Sequence, residues 1–429
     1  MIILDTALEQ READGKPIRL GIVGSGYMAR GIAGQVLAGM PGLRIGGFAA
    51  RNLDAAAAIL SECRVEATPV ASEAEVGGAL REGRPLLTPD PALLSTVVDV
   101  IIETTGDVEF GASVVLDSIR NRKHVVLVNA ELDATVGPIL KRYAEEAGVV
   151  LTNTDGDEPG VAMNLLRYVR SIGLRPVLAG NIKGFIDPYR TPETQAAFAE
   201  SVGQRPKMIT SFADGTKLAM ETTIVANAAG FGVARRGMNG WQCSHVREVL
   251  DLVSPGTFVN GGLVDYVLGA EPGSGAFVVG LSDEPIRQQY LKYFKMGDGP
   301  LYLFYTPWHL PQAEAPLTAA RAVLFNDPSV TPLSGPRCDV VTIAKRDLAT
   351  GEALDGIGGF TCFGTIENFA ESREANLLPM GLSEGCTLVR DVGRGTAVTY
   401  DDVQLPTGRL ADRLRREQDR HFASSVYAQ

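Results

Sequence analysis

The sequence predicts an α/β fold: a doubly wound parallel sheet opens the chain, an α+β segment follows, and a small β-rich module lies near the C-terminus. Three observations predict it. Apolar runs of strand length alternate with helix-length segments from residue 18 to about residue 152. A glycine pair, Gly24 and Gly26, stands between the first such run and a helix of small residues. From about Pro336 the texture changes to short strand-like pieces roughly every ten residues, separated by Gly and Asp turns.

Composition narrows the function. At 429 residues the chain has length for about two or three domains. Hydrophobic residues at 45% and charged residues at 21% describe an ordinary soluble globular protein. The net charge of −11 argues against a nucleic-acid partner, which needs clustered Lys and Arg, but leaves room for a local basic pocket that takes a small anion. Cys63, Cys243, Cys338, Cys362 and Cys386 are scattered, with no Cys-x-x-Cys pair. Neither a zinc site nor a disulfide framework is expected. No stretch has the length of a membrane span, and the N-terminus carries Asp and Glu rather than a signal-peptide pattern. A cytoplasmic protein acting on small molecules is expected.

Each element can be justified in turn. Residues 4–14 read as a short amphipathic helix. Ile18 to Val23 is the first strand, and the loop Gly24-Ser25-Gly26-Tyr27-Met28 follows. Gly24 permits the tight turn, Gly26 lets a pyrophosphate approach the backbone, and Ala29 lets the helix pack on its strand. The free N–H groups of that helix's first turn favour phosphate. This reads as the opening of a Rossmann domain, with a dinucleotide as the ligand it implies; the alternative is a glycine pair that serves strand–helix packing alone. The helix runs to about Met40, breaks at Pro41-Gly42, and Leu43 to Ala50 forms the second strand. An NAD enzyme usually has Asp or Glu at that strand's end to hold the ribose. Here Arg51-Asn52 stands instead, and a guanidinium suits a 2′-phosphate, so NADP(H) is favoured over NAD(H). The alternative is a solvated Arg51 at the start of a helix capped by Asn52.

Residues 54–95 read as Ala-rich helix and loop covering the sheet. Val97 to Glu103 is a strand buried on both faces, ending in Thr104-Thr105-Gly106 at the edge where the cofactor should lie. A helix over 108–121 and a strand over 124–128 follow, the latter ending at Asn129, also at the cofactor edge. His124, at the other end of that strand, reads as structural. A helix over 135–147 and a strand over 149–152 complete the alternation, which stops after Asp155-Gly156-Asp157-Glu158-Pro159-Gly160. The first domain is therefore 1–160.

A middle substrate and oligomerisation domain is expected over 161–335. It opens with a helix over 161–172 and a strand over 176–182 that runs into Lys183. Residues 185–206 read as loop. The stretch 212–230 begins with an Asp214-Gly215 turn and continues as a strand or helix carrying Lys217, Glu221 and Asn227. Val264 to Val279 reads as glycine-broken antiparallel strands, and a helix follows Pro307-Trp308-His309-Leu310 to about Phe325. Residues 336–408 read as a discrete β module, with related pieces at 338–354 and 386–405. The 409–429 tail reads as an i,i+4-paired helix with a solvated face.

On these residues the chain resembles the homoserine-dehydrogenase-like oxidoreductases that carry a C-terminal SAF domain, of β-clip type. It is most similar to the branch holding the reductoisomerase-like enzymes of 1-deoxy-D-xylulose 5-phosphate. The resemblance rests on the glycine loop at 24–29, ETTG at 103–106, GDEP at 156–159, DGTK with Glu221 and Asn227, and PWHL with the following Glu314 and PLT. The stretch 344–358 looks like the SAF module. The resemblance implies an NAD(P)-dependent oxidoreductase of a small polar or phosphorylated carbonyl compound, and a homo-oligomer, dimer or tetramer. Homoserine dehydrogenases place a lysine after the asparagine equivalent to Asn129. Here Ala130 and Glu131 follow, so a carbonyl-polarising lysine is missing from that loop. An amino-acid semialdehyde reductase of the homoserine-dehydrogenase type and a non-catalytic NADP(H)-binding sensor remain the alternatives.

Hydride transfer needs a proton donor beside the substrate oxygen. Lys217 is the leading candidate, supported by Asp214 or Glu158; the bland alternative is a solvated lysine in a hairpin turn. Lys183 can neutralise a substrate phosphate or carboxylate. Asp157 and Glu158 can bind substrate hydroxyls, hold Lys217, or ligate a divalent metal through oxygen, which nothing else supports. They read equally as a charge pair at a helix start. Asn129, Glu221, Asn227, His309 and Glu314 are second-rank candidates, His309 reading chiefly as structural.

Overall fold

The apolar runs of the first third of the chain pair into one parallel sheet. The structure is a computed structural model and describes residues 3–333 and 335–423. In chain order its first elements are α1 (Leu4–Ala13), β1 (Ile18–Val23), α2 (Tyr27–Leu37), β2 (Leu43–Ala49), α3 (Leu53–Glu62), β3 (Thr68–Pro69) and α4 (Glu73–Glu82). There follow β4 (Leu86–Thr88), α5 (Pro91–Val97), β5 (Val100–Glu103), α6 (Val108–Arg120), β6 (His124–Leu127), α7 (Ala130–Ala147) and β7 (Leu151–Asn153). The strands lie in the order β3-β4-β2-β1-β5-β6-β7, and every pairing is parallel. All of β5 is buried, as is β1 apart from Arg19, because helices cover both faces. This is the Rossmann sheet. Its order reverses between β1 and β5, so the carboxyl ends of these strands flank the crevice where open α/β sheets bind ligands.

Two local differences from the sequence reading have simple causes. Residues 54–95 also hold β3 and β4, whose two and three residues are too few to show a period. Helix α7 begins at Ala130, capped by Asn129, and runs through Pro138, which reads as a breaker in sequence.

The second half continues with α8 (Glu158–Ser171), β8 (Arg175–Lys183), α9 (Pro192–Ser201), α10 (Pro206–Ala213), α11 (Thr216–Ala229), β9 (Trp241–Gln242), α12 (Val249–Leu252) and β10 (Leu263–Leu268). Next come β11 (Ala276–Leu281), α13 (Pro285–Tyr293), β12 (Leu301–Thr306) and α14 (Pro311–Phe325). The chain ends in β13 (Cys338–Ala344), β14 (Cys362–Asn368), α15 (Phe369–Glu374), β15 (Thr387–Leu388), β16 (Val403–Gln404) and α16 (Leu410–Phe422). Strands β8 to β12 form a sheet in the order β12-β11-β8-β10-β9. It is mixed rather than antiparallel: β10 runs parallel to β8, while β11 is antiparallel to it. Parallel pairing needs a crossover, and α9, α10 and α11 lie between β8 and β10 in the chain. Part of that crossover, α9, falls in the 185–206 stretch expected as loop. Thr191 and Thr194 close a capping box at its start, with Pro192 at the first helical position.

The compact units do not follow the expected segments. One comprises Met1–Asp157 with Leu310–Thr331, the other Glu158–His309 with Pro332–Gln429. Helix α14 was expected in the middle domain, yet Ala315, Ala319 and Ala320 complete the core around β1, β2 and α2. Its place is fixed by polar contacts within the first unit. Arg321 Nη1 donates to Asp155 at 2.9–3.0 Å and its Nη2 to Asp327 at 2.8 Å. Asn153 pairs with Val330 as an antiparallel bridge.

Nor is 336–408 a separate module: it shares one compact unit with 158–309. Asn227 of α11 accepts from the backbone N–H groups of Arg337 and Cys338 at 2.7 and 3.0 Å. Thr216 Oγ1 accepts from Gly364 of β14 at 2.8 Å. The tail helix is docked rather than solvated along one face. Arg415 is 2% exposed and binds Asp339 and Asp419. Residues 424–429 of the expected tail lie outside the described residues.

Candidate functional site

In the first unit the site is an edge built by β1, β5 and β6. Gly24 has φ +119°, and a Cβ there would collide with Thr104 Oγ1. That hydroxyl donates to Val23 O at 2.8 Å, so the turn is closed tightly on the β5 loop. Gly26 starts α2 with no side-chain cap, and a Cβ there would meet nothing within 4 Å. The first N–H groups of α2 therefore face open space beside an exposed Gly26 and Tyr27 and a half-buried Ser25 and Met28. A glycine cradle in front of an uncapped helix N-terminus fits a dinucleotide's phosphates.

Glu103 organises the rest of this edge, and sequence reasoning missed it. The residue is fully buried. It accepts from the Thr105 backbone N–H at 2.8 Å, from the Thr105 hydroxyl, and from Asn129 Nδ2 at 2.7 Å. Burial pushes its carboxyl up to about 7, against the pull of those hydrogen bonds. Asn129, expected as a cofactor contact, is itself fully buried. It also donates to Asp107 O and caps α7 through Leu132 N. Its amide therefore shapes the edge from behind rather than facing a ligand. Gly106 turns at φ +68° in the same loop. Arg51 is exposed, with no ion pair among the described residues, while Asn52 caps α3 through Ala55 N at 3.0 Å. The Asn52 side chain thus has the helix-capping role that was its alternative reading. His124 accepts from Val150 N at 3.0 Å, which makes it structural as expected.

In the second unit a polar cluster is buried between α8, β8 and α11. Asn181 and Lys183, two residues apart on β8, point to one face. Lys183 Nζ lies 2.5 Å from Glu158 Oε2 and 3.3 Å from Glu221 Oε2. Asn181 Nδ2 donates to Glu221 Oε2 at 3.2 Å. Both carboxyl side chains are 3% exposed and that of Lys183 is 22% exposed. Burial disfavours the Lys183 ammonium, but the two carboxylates outweigh it and hold its pKa above the usual lysine value. Lys217 is half-buried on the first turn of α11, not in a hairpin. Gly215, at φ +86°, makes the turn between α10 and α11 that sets it there. One helical turn on, Glu221 shares its face, and the Lys217 charge acts on the Glu221 carboxyl.

Asp214 has another partner. Lys345 Nζ donates to Asp214 Oδ2, Arg190 O and Gly359 O, each at 2.8 Å. The Asp214 side chain is 0% exposed, and burial raises its pKa while Lys345 opposes the rise. Asp214 thus anchors the turn before Lys217 through a lysine that sequence reasoning did not single out. Asp157 is buried at the end of the first unit, and Glu158 opens α8 in the second. His309 Nδ1 is 3.0 Å from Ser274 Oγ, the structural role expected for it. Asn227 is buried, its side-chain oxygen taken by the backbone N–H groups of Arg337 and Cys338. Burial, with the Asp155 charge, raises Glu314 in the first unit. Among the described residues no group of three or more His, Cys, Asp or Glu could hold a metal ion. No helix among them is long and apolar enough to cross a membrane.

Residues 156–315 match the family described as the catalytic domain of oxidoreductase DRL. The match contains Glu158, Lys183, Lys217 and Glu221. No curated protein matches the chain. Among solved structures, UDP-N-acetylglucosamine 3-dehydrogenase GnnA from Acidithiobacillus ferrooxidans is similar at 12% identity, over 73% of this chain and 92% of that one, with a TM-score of 0.42. GenD2 from gentamicin A biosynthesis, in complex with NAD, is similar at 15% identity over 74% and 89%, with a TM-score of 0.38. The 1-deoxy-D-xylulose 5-phosphate reductoisomerase from Zymomonas mobilis, in complex with NADPH, is similar at 14% identity over 47% and 58%, with a TM-score of 0.32.

Proposed function

We propose that the protein is a nicotinamide-dependent oxidoreductase that reduces a small polar or phosphorylated carbonyl compound, of sugar-phosphate type, and prefers NADP(H) to NAD(H). The observation that carries the reaction class is the oxidoreductase catalytic-domain match over 156–315, because that stretch holds the buried Lys183, Glu158 and Glu221 cluster beside Lys217. The backbone of Gly24, Ser25, Gly26, Tyr27 and Met28 would hold the cofactor's phosphates, and Arg51 its 2′-phosphate. When bound, the nicotinamide supplies the hydride.

The chain's own residues do the remaining work. Glu103 fixes the Thr105 loop and Asn129, and so the shape of the edge around the ring. Lys217 donates a proton to the substrate oxygen and offers positive charge to the developing alkoxide. Lys183, held between two carboxyls, orients Glu158 and Glu221 rather than sitting free as an anion hook. NADPH oxidation screened against sugar phosphates, aldoses and amino-acid semialdehydes tests the reading. Turnover on the first group supports it. Turnover only on a semialdehyde changes the substrate class, and cofactor binding without turnover on any carbonyl refutes it.

A further inference from the structure

One oxygen in the buried cluster lacks a donor. Among the described residues Glu158 Oε1 is buried with no hydrogen-bond partner, although Oε2 of the same carboxyl is held by Lys183. A carboxylate oxygen left so is unfavourable. Glu158 Oε2 and Glu221 Oε2 lie 2.5 and 3.3 Å from the same Lys183 Nζ, so the two carboxyls are neighbours, but two ionised carboxylates have no hydrogen between them. A proton on one of the two carboxyls removes the repulsion between like charges and gives the pair the donor it lacks.

We propose that Glu158 and Glu221 hold one proton between them at neutral pH, and that Glu221 passes it to Lys217 once Lys217 has protonated the substrate oxygen. The second half of this rests on the role of Lys217 given above. The transfer is balanced: the Glu221 O–H bond breaks, an N–H bond forms on the neutral Lys217 amine, and ammonium and carboxylate result. The carboxylate is received by Asn181 Nδ2 at 3.2 Å and Lys183 Nζ at 3.3 Å. Lys217 and Glu221, four residues apart on α11, stand on the same helix face.

The other charged groups around α11 are engaged elsewhere. From α8 it is Glu158 that faces Glu221, and from β8 it is Lys183. On β10, Asp265 binds the backbone of Asn239 and Gly240. On α10, Asp214 is the C-terminal cap and pairs with Lys345. On β13 and β14, Asp339 is held by Arg415 and Glu367 by Arg236. Burial first, then the Glu158 charge, lifts the Glu221 carboxyl to about 8, with Lys183 and Lys217 opposing.

Infrared difference spectra of the full chain carrying carboxyl-labelled glutamate, wild type minus Glu221→Gln, test the shared proton without turnover. The subtraction cancels Glu103, which burial also raises. A protonated-carboxyl band at neutral pH that disappears with a midpoint near 8 is expected. In Glu158→Gln the like charge is gone, and the midpoint should fall. Absence of the band, or an unmoved midpoint in Glu158→Gln, overturns the pair. If Glu221→Gln does not fold, wild type against Glu158→Gln reads the displacement of the midpoint alone, and spectra that titrate identically overturn the pair. With a carbonyl substrate in hand, Glu221→Gln should lower kcat about 10²-fold, leave KM nearly unchanged, and lack the alkaline limb expected in the wild-type kcat profile. Wild-type kcat in that variant overturns the relay even where the band is seen. If no carbonyl oxidises NADPH, the proposed function and the relay fall together, and the infrared result alone decides the pair.

Discussion

Replacing Lys345 with Met removes a cation on which three segments converge. The Lys345 side chain is 3% exposed and that of its partner Asp214 is 0% exposed, so solvent does not screen the pair. The substitution leaves a buried carboxylate without its counter-charge, and the carbonyls of Arg190 and Gly359 without a donor. Breaking a buried pair in this way destabilises by about 3–5 kcal/mol. Chemical denaturation followed by tryptophan fluorescence reads the loss in the right place, since Trp241 and Trp308 both belong to the second unit. Removing the charge as well, in Lys345→Met with Asp214→Leu, should restore most of the stability, because the orphaned carboxylate rather than the missing contact dominates. The single variant's deficit should shrink in acid. With Lys345 gone, the folded pKa of Asp214 rises further above its unfolded value. Its contribution is then present below the unfolded pKa and lost as pH rises through the folded one. A loss below about 1 kcal/mol, or a double variant no more stable than the single one, would refute the reasoning.

Three further outcomes are expected. Arg51→Asp should reverse a preference for NADPH over NADH, by about 1–3 kcal/mol in relative affinity; equal dissociation constants before and after the change would dismiss the 2′-phosphate reading. In the first unit Glu103 and Asp133 are both pushed up to about 7 by burial, so the stability they give is complete below their unfolded pKa values and falls away as pH rises through about 7. Hydrogen exchange across β5, β6 and α7 should therefore quicken with pH beyond the chemical rate, and Glu103→Gln with Asp133→Asn should flatten that excess. Lys217→Met should lower turnover by about 10²–10⁴-fold with NADPH affinity little changed; near-normal turnover on an identified substrate would remove Lys217 from the chemistry.

The cofactor edge was legible where a residue's requirement is local. Gly24 and Gly26 announce a turn whose need for small residues depends on the next few atoms of backbone, and β1, β5 and β6 announce burial on both faces through largely apolar runs. Glu103 was not legible, because nothing in ETTG says that the acidic side chain folds inward to take Thr105 and, across another strand, Asn129. Asn129 illustrates the reverse: its place at a strand end was read correctly, but its side chain turns to cap α7. Helix α14 shows why the domain boundaries moved. A face of alanines packs closely against many surfaces, and long-range polar contacts such as Arg321–Asp155, between residues 166 apart, say which.

The same distance effect governs the second unit. Lys217 and Glu221 were visible as candidates, and their i,i+4 spacing acquires meaning only once 216–229 is a helix rather than a strand, a choice the sequence left open. Lys183 looked like an anion hook because a lysine beside a glycine at a strand end is normally solvated. The fold instead places it between two acidic residues from α8 and α11, so its charge is already answered before any substrate arrives. A substrate phosphate would then have to be met by groups other than Lys183, and replacing Lys183 should disturb Glu158 and Glu221 first. Lys183→Met is thus expected to raise the Glu221 midpoint further, since a charge that lowers it is removed. The infrared titration described above measures this directly, and a midpoint that falls or stays in place would show that Lys183 does not govern the pair.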